Sequence, residues 1–124
     1  MAEIKISELS IGDWVQIDGE PAKALCLRIV GGHIFKGVSG QMYRCCGMEF
    51  RPIPLTPKIL EKNGISKTYE SDEYAVYKGE GFNVTEYYTE LWEFERHRNR
   101  LMIRNVHQLQ HALRLAGVEK EIEL

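Results

Sequence analysis

The pattern of hydrophobic and polar positions is clearest near the C-terminus, where residues 103–117 have the periodicity of an amphipathic helix. Asn105 suits the N-cap of this helix, and Gly117 suits the left-handed position that often follows a helix end. The sequence therefore predicts a helix over 105–116 whose apolar face needs a partner surface. At about 100° per residue, the face consists of Val106, Leu109, Ala112, Leu113 and Ala116.

The same periodicity places His107 and His111 on the opposite side of the helix, and we expect both rings to face water. Their four-residue spacing is compatible with metal ligation. In the zinc-protease motif, however, a glutamate general base follows the first histidine, and here that position is Gln108. The sequence predicts no metal and no other cofactor.

A shorter helix is predicted near 57–63, after a run of three prolines between residues 52 and 57. Thr56 can cap it, Pro57 is favoured at its first position, and Gly64 ends it. A helix of two turns is not stable alone in water, so it must pack on the rest of the chain. The prolines also mark a boundary between residues 1–52 and residues 53–124.

Short segments with the pattern of β-strands, separated by glycine turns, dominate the first half of the chain. We expect Leu9 and Ile11 to enter the core, and Asp18-Gly19 is a strong signal for a tight turn. The pattern predicts a small, bent antiparallel sheet or barrel, and its opening hairpin resembles that of SH3-like barrels. The strand-like segments are 13–17, 22–30, 33–36, 41–46 and 48–51.

The second half is predicted to add an antiparallel sheet, which gives an α+β fold with the two helices packed on that sheet. Strands are expected at 74–77, 82–85 and 91–95. Residues 97–100 are interpreted as a polar turn, and residues 101–103 as the entry to the long helix. Residues 119–124 alternate between charged and apolar side chains, which favours a final edge strand.

Composition limits the function classes more than it defines one. The chain has 124 residues, of which 44% are hydrophobic and 27% charged, and its formal net charge is −2. This balance argues against a dedicated nucleic-acid binder, which usually carries a basic excess. The apolar runs are too short to span a bilayer. We expect no signal peptide, because residues 1–7 contain no basic segment followed by a long apolar core. Three cysteines do not make a disulfide framework, so we expect a cytoplasmic location.

No set of residues predicts an enzyme. Cys26, Cys45 and Cys46 with His33 could be considered as zinc ligands, but adjacent cysteines point to opposite faces of a strand. The roles of Cys45 and Cys46 stay open. Carboxylates are numerous between residues 70 and 95, yet nothing in the sequence fixes the spacing that paired-carboxylate catalysis needs.

One local basic cluster is a candidate binding site. It comprises Arg96, Arg98, Arg100 and Arg104 with His97, and Trp92 and Phe94 precede it. Such a cluster can bind a nucleic-acid backbone or an acidic partner. The alternative is a solvated hairpin turn whose charge is balanced by nearby glutamates, Glu90, Glu93 and Glu95. The candidate binding residues are Trp92, Arg96, Arg98, Arg100 and His107.

Several short motifs spread along the chain occur together in one known family. They are Leu9 to Val15, Ile53-Pro54-Leu55-Thr56, Ile59-Leu60, Asn63-Gly64, Val106-His107-Gln108-Leu109-Gln110 and Glu119 to Leu124. Through these motifs most of the chain resembles a family of small uncharacterised proteins from gut-bacterial genomes and their prophages; residues 66–95 are the least similar part. The family has no assigned activity, so the resemblance implies only a phage or mobile-element origin.

The sequence thus favours a non-enzymatic module that binds another protein, of prophage or mobile-element origin. The alternative is a nucleic-acid-binding accessory protein that uses the barrel face and the Arg96–Arg104 turn. A homo-oligomer formed through an edge strand is also compatible with the pattern.

Overall fold

The computed structural model describes residues 8–27, 33–45, 50–89 and 91–124, without the side chains of Cys26 and Cys45. Cys46 and Glu90 also lie outside the described residues, so the interpretations that involve them stay predictions. The chain divides into two compact units, residues 1–53 and 54–124. A four-stranded and a five-stranded antiparallel sheet with two helices confirm the predicted α+β class.

The first unit is a meander in which each strand pairs with the next along the chain. Asp18 and Gly19 form the first hairpin turn with φ angles of 49° and 79°, as a tight turn with two left-handed residues requires. Among the described residues the sheet does not close into a barrel, so the open-sheet alternative is the one observed. Its strands are β1 (Trp14–Ile17), β2 (Glu20–Cys26), β3 (His33–Gly37) and β4 (Met42–Cys45).

One face of this sheet forms the core of the first unit. Leu9 is buried there as predicted, but Ile11 is 66% exposed, so its predicted burial is wrong. Ile11 lies in a turn with Gly12, whose φ of 94° redirects the chain just before β1. The core residues are Leu9, Val15, Ile17, Ala22, Ala24, Phe35, Tyr43 and Phe50.

The second unit is also a meander, with all strands antiparallel to their neighbours. Its inner face is buried and carries Ala75, Tyr77, Phe82, Val84, Trp92, Phe94 and Ile103. The strands are β5 (Ser66–Glu70), β6 (Tyr74–Gly79), β7 (Phe82–Tyr87), β8 (Leu91–Arg96) and β9 (Asn99–Ile103).

Both predicted helices are present, as α1 (Pro57–Lys62) and α2 (Val106–Leu115). Each ends in the same way, at a glycine with a φ of 76° (Gly64) or 74° (Gly117). After α2, the N–H of Val118 donates to the carbonyl of Leu113 at 2.9 Å, which satisfies an otherwise orphaned helix carbonyl. These glycines fix where each helix ends and where the following chain goes.

The prediction that His107 faces water is wrong, because His107 is only 2% exposed. The helix buries polar side chains beside its apolar ones, and Gln110 is 7% exposed. The buried arc of α2 is therefore wider than its apolar arc, which periodicity alone does not reveal. Leu115, at the margin of the predicted face, is 84% exposed.

Three other local predictions need correction. All five residues of β5 are exposed, so this strand has no apolar alternation that would reveal it. The predicted polar turn over 97–100 is shorter than expected, because Asn99 and Arg100 begin β9 and the turn contains only His97 and Arg98.

The predicted final strand over 119–124 is absent. Residues 119–124 form no strand, and Ile122 is buried. The side chain of Asn63 holds the tail, because it bonds both the N–H and the carbonyl of Glu123, at 2.7 and 2.8 Å.

Truncation of the buried side of α2 should destabilise the second unit. We expect Leu109→Ala and Leu113→Ala to cost roughly 2–5 kcal/mol each, as core truncations do, and His107→Ala to cost about 2 kcal/mol or more, because it also removes a large buried side chain. Leu115→Ala is the matched control and should change stability by about 0.5 kcal/mol at most. Urea unfolding of the four variants tests this, and equal losses at Leu113 and Leu115 would contradict the orientation of α2.

The turn between β3 and β4 is joined to Glu20 by hydrogen bonds. The Tyr43 hydroxyl donates to Oε2 of Glu20, the Ser39 hydroxyl donates to the same oxygen at 2.9 Å, and the Ser39 N–H donates to Oε1 at 3.0 Å. The bonds from Tyr43 and then from Ser39 lower the pKa of Glu20. The bond to Glu20 and burial together raise the pKa of Tyr43 to about 12.

This network should make the first unit sensitive to acid. Because the pKa of Glu20 is lower when folded, its stabilisation is complete above the unfolded value of 4.5 and is lost as pH falls through the folded value. Glu20→Gln should therefore reduce the pH dependence of stability below 4.5. The measurement is the free energy of unfolding against pH, followed by Trp14 fluorescence in a Trp92→Phe background. The same acid dependence in both proteins would contradict a role for the carboxylate.

Candidate binding site beside the last strand

A groove of about 450 Å³ lies between the β8–β9 hairpin and the C-terminal turn of α2. The hairpin supplies one wall, because its two-residue turn brings β9 back alongside β8. The helix supplies the other wall. The groove is lined by Phe94, Arg96, His97, Asn99, Arg100, Leu101, Ala112, Leu115 and Ala116.

Apolar side chains occupy both the base and the border of this groove. Phe94 and Ala112 are 4% and 2% exposed, so they belong to the core of the unit. Leu101 on β9 and Leu115 on α2 are 44% and 84% exposed. Two large exposed leucines that border one groove are unlike a single exposed leucine, which is common on any protein surface.

The arginines of the predicted basic cluster differ in their contacts. Arg96 donates to the carbonyl of Ala116, which places a cation at the C-terminal end of the α2 dipole. Arg100 forms an ion pair with Glu95 at 2.8 Å. Arg98 and Arg104 are exposed. The hydrogen bond of Arg96 therefore joins β8 to the end of α2, a contact called here the Arg96 tie. The other three arginines, Arg98, Arg100 and Arg104, are exposed at the surface.

The remaining sequence-predicted binding residues do not reach this surface. Trp92 is 6% exposed, and its ring packs 6.2 Å from that of Tyr77 in the core. His107 is buried as well. In this structure the two side chains are therefore not exposed for direct contact with a partner. Both lie on the inner side of the unit, which the sequence alone did not distinguish.

The strand β9 itself is a feature that the sequence prediction missed. Four of its five residues are exposed, including Met102 at 51%. A signal was present, because Leu101, Met102 and Ile103 are three consecutive apolar residues. Successive strand residues point to opposite faces, so a run of three in a half-buried strand must expose at least one.

The two edges of the five-stranded sheet differ in their protection. The edge strand β5 has a register shift between Lys67 and Tyr69, and its Lys67 and Glu70 side chains form a 3.4 Å ion pair. Such irregularities and charges discourage further pairing. The pairing of β9 with β8 is regular over all five residues and contains no proline. Of the two edges, β9 is the better template for another strand.

A second group of ionisable side chains lies on β6 and β7 of the same sheet. Burial raises the pKa of Tyr77 to about 12 and also raises the pKa of Glu86. A raised carboxyl pKa can mark a catalytic group. Tyr77 is 0% exposed, however, so its hydroxyl is not accessible to a substrate. The pair is explained by the burial of the inner face.

Within the described ranges, no group of three or more His, Cys, Asp or Glu side chains is placed to hold a metal ion. The rings of His107 and His111 lie edge to face, with centroids 5.9 Å apart. The part of the chain that the structure describes also contains no helix long and apolar enough to cross a membrane.

No protein-family model, no curated protein and no solved structure matches this chain. The candidate site is therefore defined by its own geometry: an apolar groove, a regular edge strand and arginines beside both.

Removal of the Arg96 tie should loosen the end of α2. We expect Arg96→Ala to cost about 1–2 kcal/mol, because it removes a charged hydrogen bond to a helix carbonyl. Arg98→Ala, in the adjacent turn, is the control and should stay within about 0.5 kcal/mol of the parent. Thermal and urea unfolding give both values. A loss at Arg98 as large as the loss at Arg96 would show that the contact with Ala116 is not what stabilises this end.

Proposed function

We propose that the protein is a non-enzymatic interaction module that binds another protein through the groove and the strand β9. The sequence resemblance supports a prophage or mobile-element origin. The cysteine content supports a cytoplasmic location. The single observation that carries the proposal is the pair of exposed leucines, Leu101 and Leu115, at the border of an apolar groove.

The energetic argument for a partner is that these leucines contribute little to the stability of the unit itself. Complete burial of one leucine side chain stabilises a complex by roughly 1.5–3 kcal/mol. Hot spots of protein interfaces are typically apolar or aromatic anchors in a pocket, surrounded by polar groups that exclude water. Leu101 and Leu115 correspond to the anchors, and the polar residues that also line the groove, Arg96, His97 and Asn99, correspond to the polar border.

Nucleic acid is the second candidate partner, and the exposure of Arg98 and Arg104 favours it. Three contacts support it less. Arg96 is bonded to Ala116 and Arg100 is paired with Glu95, which reduces the charge available for phosphates. Trp92 is buried and cannot stack on a base. The protein-binding proposal uses the whole groove, whereas the nucleic-acid proposal uses only its rim.

Capture from a native host extract with matched surface variants tests the proposal. The immobilised parent protein should retain the same proteins as Leu25→Asp, which changes a leucine that is 43% exposed on β2, in the other unit. Leu101→Asp and Leu115→Asp should retain at least about tenfold less, because a buried unpaired charge costs several kcal/mol and about 1.4 kcal/mol already corresponds to tenfold. Quantitative mass spectrometry, before and after nuclease treatment, gives the comparison.

Two results would contradict the proposal. Retention that is unchanged by Leu101→Asp and Leu115→Asp would exclude the groove. Retention that nuclease abolishes, with a steep dependence on salt, would assign the surface to nucleic acid.

A further inference from the structure

We propose that β9 receives an extended, acidic segment of the partner protein as a sixth strand of the five-stranded sheet. This inference rests on the proposed function and specifies the chemistry of its partner. It depends on three observations: the direction of the backbone groups of β9, a strand contact that the chain already makes at the end of β9, and the charge along this edge.

The backbone directions follow from the β8–β9 register. Arg96 and Asn99 flank a two-residue turn, so they form the hydrogen-bonded pair that closes the hairpin. Hydrogen-bonded and non-hydrogen-bonded pairs alternate along an antiparallel ladder. The N–H and C=O groups of Leu101 and Ile103 therefore point to β8. Those of Arg100 and Met102 point away from it, to the open side of the sheet.

The chain itself shows that this side accepts a strand. The carbonyl of Arg104, two residues beyond Met102, accepts the N–H of Leu55 at 3.1 Å. Pro54 and Asn105 form an antiparallel bridge at the same point. The contact stops there because Thr56 caps α1 and turns the chain into that helix. In the described part of the sheet, β9 has a strand neighbour on one side only, so the positions beside Arg100 and Met102 remain for another chain.

Side-chain alternation specifies the two faces of the added strand. Leu101 shares a face with Phe94 and the groove, whereas Arg100 and Met102 point to the other face. Residues of the incoming strand on the first face would therefore be apolar, because they pack on Leu101 and Leu115. This arrangement is the addition of a peptide strand to a sheet edge, in which backbone bonds give affinity and side-chain pockets give specificity.

Charge selects an acidic segment. Residues 96–104 contain four arginines and no acidic residue. Arg98, Arg100 and Arg104 are exposed along this edge. Among the described residues Glu95 is ion-paired with Arg100, and Glu93 lies opposite Met102, so the arginines outnumber these two carboxylates. Carboxylates on the incoming strand would supply the missing complement, because opposite charges across a strand pair stabilise it.

A second copy of the chain fits less well. In an antiparallel pair of two β9 strands centred on Leu101, Leu101 of one copy would lie opposite Leu101 of the other. Three residues away on either side, Arg98 of each copy would then face Arg104 of the other. Like charges directly opposite destabilise a strand pair. Self-association is therefore the outcome that would count against an acidic partner segment.

The test is a selection of random dodecapeptides, displayed on phage, against the full-length protein. Enriched sequences should alternate between acidic and apolar residues. The synthetic peptides should bind Met102→Pro about tenfold more weakly than Met102→Ala, because proline removes an N–H that points to the added strand while alanine keeps it. Proline is tolerated at an edge position whose N–H faces outward, and circular dichroism checks that both variants fold.

A second measurement does not depend on the folding of a variant. In an added strand, every second N–H of the peptide bonds to β9 and the others point away from it. N-methylation of the amides that bond to β9 should therefore abolish binding, and N-methylation of the other amides should leave it nearly unchanged. Replacement of the glutamates by lysines should also abolish binding, and fluorescence polarisation at low and high salt measures both effects.

Enrichment of peptides without acidic residues, or equal binding of the two Met102 variants, would overturn the inference. So would sedimentation of the protein as a dimer that Met102→Pro dissociates. If no peptide is enriched while Leu101→Asp still abolishes capture of a protein, the extended segment is wrong and the proposed function stands. If capture is also unchanged by Leu101→Asp, both are wrong.

Discussion

The constraint on which the second unit depends is that every backbone N–H and C=O group needs a hydrogen-bond partner. Three strands of the five-stranded sheet, β6 to β8, satisfy this by pairing on both sides, but the edge strands β5 and β9 do not. The last strand, β9, has one paired side among the described strands. Its outward groups, at Arg100 and Met102, must bond to water or to another chain. The chain begins to cover this side with Leu55 and then leaves it to form α1. The proposed strand addition follows from that incomplete cover.

The helix α2 gives the open edge its shape. Its buried side includes Leu109 and Leu113, and its glycine-terminated end stops the helix just after Leu115. Arg96 ties that end to β8 through the carbonyl of Ala116. As a result, an exposed leucine stands across a groove from the edge strand. A shorter helix would remove Leu115 from the groove. Without the tie from Arg96, its position would be less well defined.

Much of the fold could be predicted from the sequence, because the signals were local. Asn105 and Gly117 mark the ends of α2, Thr56 and Gly64 those of α1, and Asp18-Gly19 the first hairpin; the structure has all of them. These features depend on the backbone preferences of single residues. For that reason they do not require knowledge of the tertiary structure.

The features that could not be predicted are set by tertiary contacts. His107 is buried although it lies outside the apolar arc of α2, and β5 has no buried residue to give it a pattern. The C-terminal tail alternates like a strand, yet Asn63 and the burial of Ile122 hold it in another conformation. The arginines of the site were found from the sequence, but the groove beside them depends on pairing between β8 and β9.

Amide hydrogen exchange along β9, measured by NMR, tests the central claim most directly. In the free protein, the N–H groups of Leu101 and Ile103 should be protected, because they bond to β8, whereas those of Arg100 and Met102 should exchange rapidly. Addition of a selected acidic peptide should slow the exchange of Arg100 and Met102. Protection of all four amides in the free protein would show that this side of β9 is already covered, and it would contradict the account.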